Sequence, residues 1–419
     1  RLDGPLNQEA LRNSLDALLE RHQALRTRFG IADGKLAQWV TEAGPMPFES
    51  RNLSAQVENA RKTAMENLAW EEAKRPFDLA VGPLVRSTLY ELSEEKHYLL
   101  LVIHQIATDG WSMSILFDEL HRLYRHHAEG APLNVPPITI QPVDFAAWQR
   151  DWQTPEFLEE QMDYWREQLQ PLPAELDLPT DLPRPNEQTF SSSIERHVLP
   201  TDLAEGIRGI AGEKGSTVFM VLLGAWQALL SRITGQEDIV LGTALSARNK
   251  SELEELVGFF ANTVALRADL SANPSFATIL RQTRERILGA YTYQHAPFEM
   301  LVEELNPRRS PNRTPLIQAW FGSWDPLPRF AEGTLQMEVE ELFSAGAQFE
   351  LSLFVMDGPE SISIVWEHNR DLFTSGTIAE LRRKYLELLR LFLASPEAPV
   401  QTIFARLSGA EMQWRLEQQ

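Results

Sequence analysis

Residues 98–112 read Tyr98-Leu99-Leu100-Leu101-Val102-Ile103-His104-Gln105-Ile106-Ala107-Thr108-Asp109-Gly110-Trp111-Ser112. The first six are apolar without alternation, as in a strand covered on both faces. That strand delivers His104 at its end. Asp109-Gly110 then turns the chain, and Trp111-Ser112 opens a helix expected over 112–126 with Ile115, Leu116, Leu120 and Leu123 inward. Functional side chains gather at strand ends, because the strand fixes them and the loop exposes them. The same letters also spell a capped turn beside a packed histidine.

Outward from this stretch, 84–92 reads as a second strand, separated from a strand over 97–106 by the polar Ser93-Glu94-Glu95-Lys96. Residues 7–29 carry Leu11, Leu15, Leu18, His22, Leu25 and Phe29 at the spacing of one helix face. Asn7 is placed to cap that helix and Gly30 to stop it. A less regular helix is expected over 62–79. Five prolines fall between Pro171 and Pro185, a density that no regular element tolerates. The spacing predicts a linker at 171–185 between an N-terminal lobe, 1–170, and a C-terminal lobe, 186–419. The second lobe is expected to hold strands at 193–199, 238–244, 315–323 and 347–366, and helices at 217–233, 275–290, 297–305 and 376–394. Each half mixes helices and strands, which fits a two-lobe α/β (α+β) architecture.

Composition bounds the function. The 419 residues are 43% hydrophobic and 23% charged, with net charge −20 and no cysteine. Thiolate nucleophiles, disulfides and cysteine-based metal sites are excluded. A surface this negative repels phosphate backbones and anionic lipid, so neither nucleic acid nor membrane is an expected partner. No apolar run approaches the ~18 residues of a membrane-crossing helix, and the chain opens at Arg1-Leu2-Asp3-Gly4 with neither Met nor signal peptide. A cytoplasmic protein cut from a longer polypeptide is the expectation.

Further patterns stand at 21–29 (Arg-His-Gln-Ala-Leu-Arg-Thr-Arg-Phe), 143–148 (Val-Asp-Phe-Ala-Ala-Trp), 256–267 (Leu-Val-Gly-Phe-Phe-Ala-Asn-Thr-Val-Ala-Leu-Arg), 294–299 (Gln-His-Ala-Pro-Phe-Glu) and 308–316 (Arg-Arg-Ser-Pro-Asn-Arg-Thr-Pro-Leu). In this order and approximate spacing they resemble the motif series of condensation domains from nonribosomal peptide synthetases. The loop His104–Gly110 is then similar to that family's HHxxxDG motif, with HQxxxDG in its place. The family's earliest motif has no counterpart and would lie before Arg1. The resemblance implies two chloramphenicol-acetyltransferase-like lobes in a V-shaped pseudo-dimer, with a central tunnel reaching the loop. It also implies donor and acceptor peptidyl carrier proteins that deliver phosphopantetheine-tethered substrates, adjoining synthetase domains, no directly bound cofactor and no metal.

The resemblance also distributes roles. Gln105 stands where the family has its second histidine, assigned either as general base or as a hydrogen-bonding group that positions the attacking amine. Glutamine can do the second but cannot take a proton near pH 7. His104 is implied to point into the fold. Asp109 is implied to pair with an arginine, and Ser246-Ala247-Arg248-Asn249 makes Arg248 that partner. Gly110 reads either as a close approach to substrate or as a turn glycine with positive φ, and Trp111 as a residue lining the tunnel. His121, His126 and His127 read as solvated, with no carboxylate set to complete a metal site. Phe298-Glu299 opens what resembles the floor of the tunnel.

Two functions follow. In the first, the domain forms an amide bond between a carrier-bound donor thioester and an acceptor amine, an aminoacyl or peptidyl transfer that Gln105 is expected to impair. In the second, it is a catalytically silent platform that recruits carrier proteins or a tailoring enzyme. Gln105 motivates the second reading, and intact Asp109-Gly110-Trp111-Ser112 the first.

Overall fold

The computed structural model describes residues 1–340 and 346–408. The chain forms two compact units. The first comprises Arg1–Thr154, Arg248–Ala261 and Leu327–Ser344; the second comprises the remainder. The units therefore do not follow the simple succession 1–170 and 186–419: two later segments return to the first unit, and the helix Pro155–Leu169 belongs to the second.

The first unit is built on a six-stranded sheet ordered Arg329–Phe330, Gln336–Glu338, Leu2–Asp3, Lys96–Ile103, Val85–Ser93, Phe48–Asn52. Val85–Ser93 and Lys96–Ile103 form an antiparallel hairpin with Tyr90 opposite Tyr98. On one face the helices Gln8–Arg21 and Gly110–Glu129 pack together over Leu11, Leu15, Leu89, Leu116, Leu120 and Leu123. On the other face lies a smaller cluster of Leu53, Met65, Tyr90 and Tyr98. Residues 98–103 thus touch apolar groups on both faces, but Leu99–Ile103 are only half-buried. The reason is that Leu2–Asp3 is two residues long and, of the strand Lys96–Ile103, pairs with His97 and Lys96 alone.

The helix expected over 7–29 ends at Arg21. Asn7 does cap it, its side-chain oxygen accepting the Ala10 N–H at 3.0 Å. After His22 the chain makes a short 3-10 turn, Gln23–Arg26, then a strand, Thr27–Ala32, paired with Lys35–Val40. Two long-range bonds, Leu84 N–H to Leu25 O (2.7 Å) and Phe29 N–H to Leu79 O (2.8 Å), draw the backbone out of the helix. Asp33 and Gly34, both at positive φ, close the hairpin. Gly30 is not a stop; it leaves room for the Trp39 ring, which a Cβ would meet at 3.2 Å.

The second unit has a six-stranded sheet ordered Ser192–Val198, Ile362–Asn369, Leu351–Asp357, Ala319–Ser323, Asp238–Ser246, Ala261–Asp269. The helix Val218–Thr234 is apolar all round and buried, as a helix in a core must be. Its Trp226 packs against Trp366 of the sheet, ring centroids 5.4 Å apart. Helices Thr201–Glu213, Phe276–Thr292 and Ser375–Ala394 pack around it. Among the described residues no single helix is long and apolar enough to cross a membrane.

The proline-rich stretch is packed rather than free. Leu176 and Leu178 are buried in the core of the second unit, and Leu176 N–H donates to Gln318 Oε1 at 2.9 Å. Arg184 grips Glu350 through both guanidinium nitrogens (2.7 and 2.9 Å). The 308–316 pattern fastens the same stretch: Asn312 Nδ2 donates to Pro185 O at 3.0 Å, and Arg313 pairs with Asp177 at 3.0 Å.

Candidate functional site

The hairpin carries the 104–112 loop on its end. His104 N–H donates to Leu84 O at 2.9 Å, extending the ladder past Ile103. His104 Nδ1 accepts the Ile106 N–H at 3.1 Å, closing the 3-10 turn Gln105–Ala107. This tight turn throws Gln105 and Ile106 out to solvent while Ala107 and Thr108 are buried. The loop is therefore not sealed beneath side chains.

Asp109 caps the helix Gly110–Glu129. Its Oδ1 accepts the Ser112 N–H at 2.9 Å and lies 2.7 Å from Ser112 Oγ; its Oδ2 accepts the Phe260 N–H at 3.0 Å. Arg248 Nη2 reaches both carboxylate oxygens, at 3.0 and 3.2 Å. The two side chains are 6% and 3% exposed. Arg248 also donates to Leu253 O (2.5 Å) and Leu256 O (2.7 Å), and its guanidinium carbon stands 4.3 Å over the Phe260 ring. Burial pushes the Arg248 guanidinium below its ordinary value, and Asp109 opposes that shift. A carboxylate at a helix N-terminus is also favoured by the helix dipole. With both carboxylate oxygens engaged, Asp109 and Arg248 hold segment 248–260 against the helix start. Gly258 permits the closeness, since a Cβ there would come within 2.7 Å of the Phe260 ring.

Gly110 differs from one of its two sequence readings. Gly110 is the first residue of the helix, is not among the glycines at positive φ, and has open space where a Cβ would stand. The positive-φ account is therefore corrected: Asp109 makes the turn in extended conformation (φ −122°). Trp111 is 46% exposed, yet its indole N–H donates to Glu254 O at 2.8 Å, so the ring is tethered.

Sequence reasoning missed a second buried ionic group. Glu119 accepts from Arg21 through both oxygens (3.0 Å each) and lies 2.7 Å from His22 Nε2. Burial raises the Glu119 pKa, but the bonds from His22 and Arg21 outweigh it and leave the carboxyl below its ordinary value. The 21–29 pattern is thereby a clasp between two helices. A lone glutamate between the inward Leu116 and Leu120 was the signal available. In the second unit, Asn262 Nδ2 donates to Gln294 O (2.9 Å) and Ala296 O (2.7 Å), tying the 256–267 pattern to the 294–299 pattern. Phe298 opens the helix Phe298–Leu305 and packs on that unit's core.

Of the three histidines expected to be solvated, His127 is exposed and His126 half-buried, and only His121 differs outright. His121 is buried, stacked on Phe330 at 4.6 Å. His126 Nδ1 lies 2.8 Å from Ala131 O beyond the helix end. Among the described residues no three His, Asp or Glu side chains are grouped to hold a metal ion.

Residues 1–413 match the family described as Condensation domain. The chain belongs to that family. It is similar to malpibaldin synthetase of Mortierella alpina and to phosphinothricin tripeptide synthetase PhsB of Streptomyces viridochromogenes, each 36% identical over 96% of this chain. The chain spans only 7% and 34% of the lengths of these two synthetases. In fold it is similar to the X-domain from teicoplanin biosynthesis, solved alone and in complex with OxyB. Their TM-scores are 0.84 and 0.83 at 24% identity, covering 96% of this chain and 90% and 89% of those. The mixed helix-and-sheet architecture is that of condensation-domain structures.

Proposed function

We propose that this condensation domain joins a donor acyl group, held as a thioester on one carrier protein's phosphopantetheine arm, to the amine of an acceptor held on another. It would do so within a multidomain synthetase in the cytoplasm. The acceptor amine, as the free base, attacks the thioester carbonyl. A C–N bond forms and the C–S bond breaks. The donor arm leaves as a thiolate, which takes up the proton that the amine nitrogen sheds. No metal or nucleotide enters this balance.

One observation carries the reading: Gln105 stands exposed on a turn anchored by a strand behind it and by the consumed Asp109–Arg248 pair ahead of it. Such a turn holds the backbone of Gln105 and turns its amide towards solvent, where it can accept from the amine N–H or donate to the developing oxyanion. General-base help is worth about 10²–10⁴ in rate, which Gln105 forgoes. Holding an activated thioester against a good nucleophile supplies a comparable or larger share. Asp109 and Arg248 act structurally in this account, Gly110 leaves space beside the turn, and Trp111 lines its far side.

The second reading is a silent platform that recruits carrier proteins or a tailoring enzyme. Gln105 favours it, and the X-domain solved with OxyB shares the fold. The experiment that separates the two loads donor and acceptor carriers, adds this chain or its Gln105→His variant, and follows dipeptidyl-carrier formation by intact-protein mass spectrometry. Turnover by both supports catalysis and shows that the second histidine is dispensable; turnover by Gln105→His alone marks this chain as a disabled catalyst. No turnover by both, with tight binding of a tailoring enzyme, overturns the catalytic reading.

A further inference from the structure

Phe77 lies between a buried cation and the histidine of the motif loop. The Arg86 guanidinium carbon stands 4.0 Å from the Phe77 ring centroid. Arg86 is held from behind by Glu72, Nε to Oε1 at 2.5 Å and Nη2 to the Glu72 carbonyl at 2.7 Å, and by the Arg75 carbonyl. Both Glu72 and Arg86 are buried. The Phe77 and His104 rings meet perpendicularly, interplanar angle 88° and centroids 5.9 Å apart. A cation over an aromatic face and a perpendicular aromatic contact are each directional, because the ring carries a negative face and a positive edge. The loop that bears Phe77 is itself fixed: Asp78 Oδ1 accepts the Ala80 N–H at 2.9 Å, and Leu79 O accepts the Phe29 N–H at 2.8 Å.

The other side of His104 is equally constrained. Its Nδ1 accepts a backbone N–H from Ile106, so in the neutral ring the proton must sit on Nε2. With Gln105 in place of a second imidazole, His104 is the one titratable ring in the loop. We infer that Phe77, pinned by the Glu72–Arg86 pair, is a positioning residue that fixes the plane of His104, and so keeps Nδ1 aligned on the Ile106 N–H that sets the Nε2–H tautomer and the turn that presents Gln105. That this turn is where substrates react rests on the function proposed above; that Phe77 orders it does not.

The test is a spectrum that needs no turnover. Chain carrying ¹⁵N-labelled histidine is recorded above pH 8, where imidazoles are neutral, by two-bond ¹H–¹⁵N correlation, with His104 identified by its loss in His104→Asn. The wild type is expected to show one tautomer at His104, protonated at Nε2. Phe77→Leu is expected to lose that pattern to an averaged mixture of tautomers, and Phe77→Tyr to retain it. The buried His22 and His368 serve in the same spectra as internal evidence that the fold persists. A pure Nε2–H pattern in Phe77→Leu, a protonated Nδ1 in the wild type, or a loss in Phe77→Tyr equal to that in Phe77→Leu would each overturn the inference. Should Phe77→Leu disturb every histidine, Phe77→Met, which keeps most of the bulk without the ring, replaces it and is read against the same two outcomes.

Discussion

Asp109 and Arg248 are 139 positions apart in the chain, yet Arg248 Nη2 bridges both oxygens of Asp109 inside a site that solvent barely reaches. Removing one partner of such a pair leaves a buried charge uncompensated, at a cost of about 3–5 kcal/mol. Arg248→Ala is therefore expected to lower the unfolding free energy, read from chemical denaturation, by that amount. Arg248→Lys should recover less than half, because an ammonium cannot make the same set of bonds to Asp109, Leu253 and Leu256 and stack on Phe260. A denaturation midpoint unchanged in Arg248→Ala would remove the anchoring role.

Gly110→Ala isolates space from stability. The position is helical and a Cβ meets nothing within 4 Å, so alanine should be neutral or stabilising by up to ~1 kcal/mol. Gly289→Ala is the contrasting case, since its Cβ would run into the Tyr164 hydroxyl; about 1–3 kcal/mol should be lost. Thermal melts of the two variants, read side by side, check both signs.

The Glu119 carboxyl lies below its ordinary value of 4.5. Its contribution to stability is thus complete above that value and is lost as pH falls through the depressed folded value. Glu119→Gln should be less stable at pH 7 and should lack this acid-dependent component. Urea midpoints between pH 3 and pH 7 measure it, and parallel curves for the two proteins would contradict the clasp.

His368 titrates in a higher window. It is wholly buried, neither ring nitrogen has a hydrogen-bond partner among the described residues, and burial pushes its pKa below 6.5, against a raising influence of Glu195. The unfolded chain takes up this proton first, so stability is complete above about pH 6.5 and falls as the pH drops towards the folded value. His368→Leu should flatten the stability curve between pH 7.5 and pH 5.5. An unaltered slope there would show that His368 does not govern it.

Gln105→His should introduce an ionisation that the wild type lacks. If the new imidazole serves as base, condensation by the variant should rise by about 10²–10⁴ and fall again below roughly pH 6.5. The wild-type rate should show no such limb. Identical pH profiles would mean that position 105 positions the amine and does not take its proton.

Periodic and capped elements are legible in the letters alone. The Asn7 cap, the strand pair around residues 84–103, the apolar helix Val218–Thr234 and the loop at 104–112 all follow from local patterns. Legibility fails where distant backbone intervenes. Leu25 and Phe29 keep a helical spacing, but bonds to Leu84 and Leu79 turn them into a 3-10 turn and a strand. The helices Pro142–Trp152, Pro155–Leu169 and Thr201–Glu213 lie outside the elements that periodicity led us to expect.

What this sequence determined by itself is its family, because motif order is a one-dimensional property, and the chemical deficit of Gln105, because no fold can give an amide a pKa near neutrality. Only the tertiary structure decided which charges are buried against which: the Glu119 clasp, the Glu72–Arg86–Phe77–His104 stack and the packing of the proline-rich stretch. These depend on side chains meeting from remote positions, and their energies come from desolvation, which no local pattern of residues encodes.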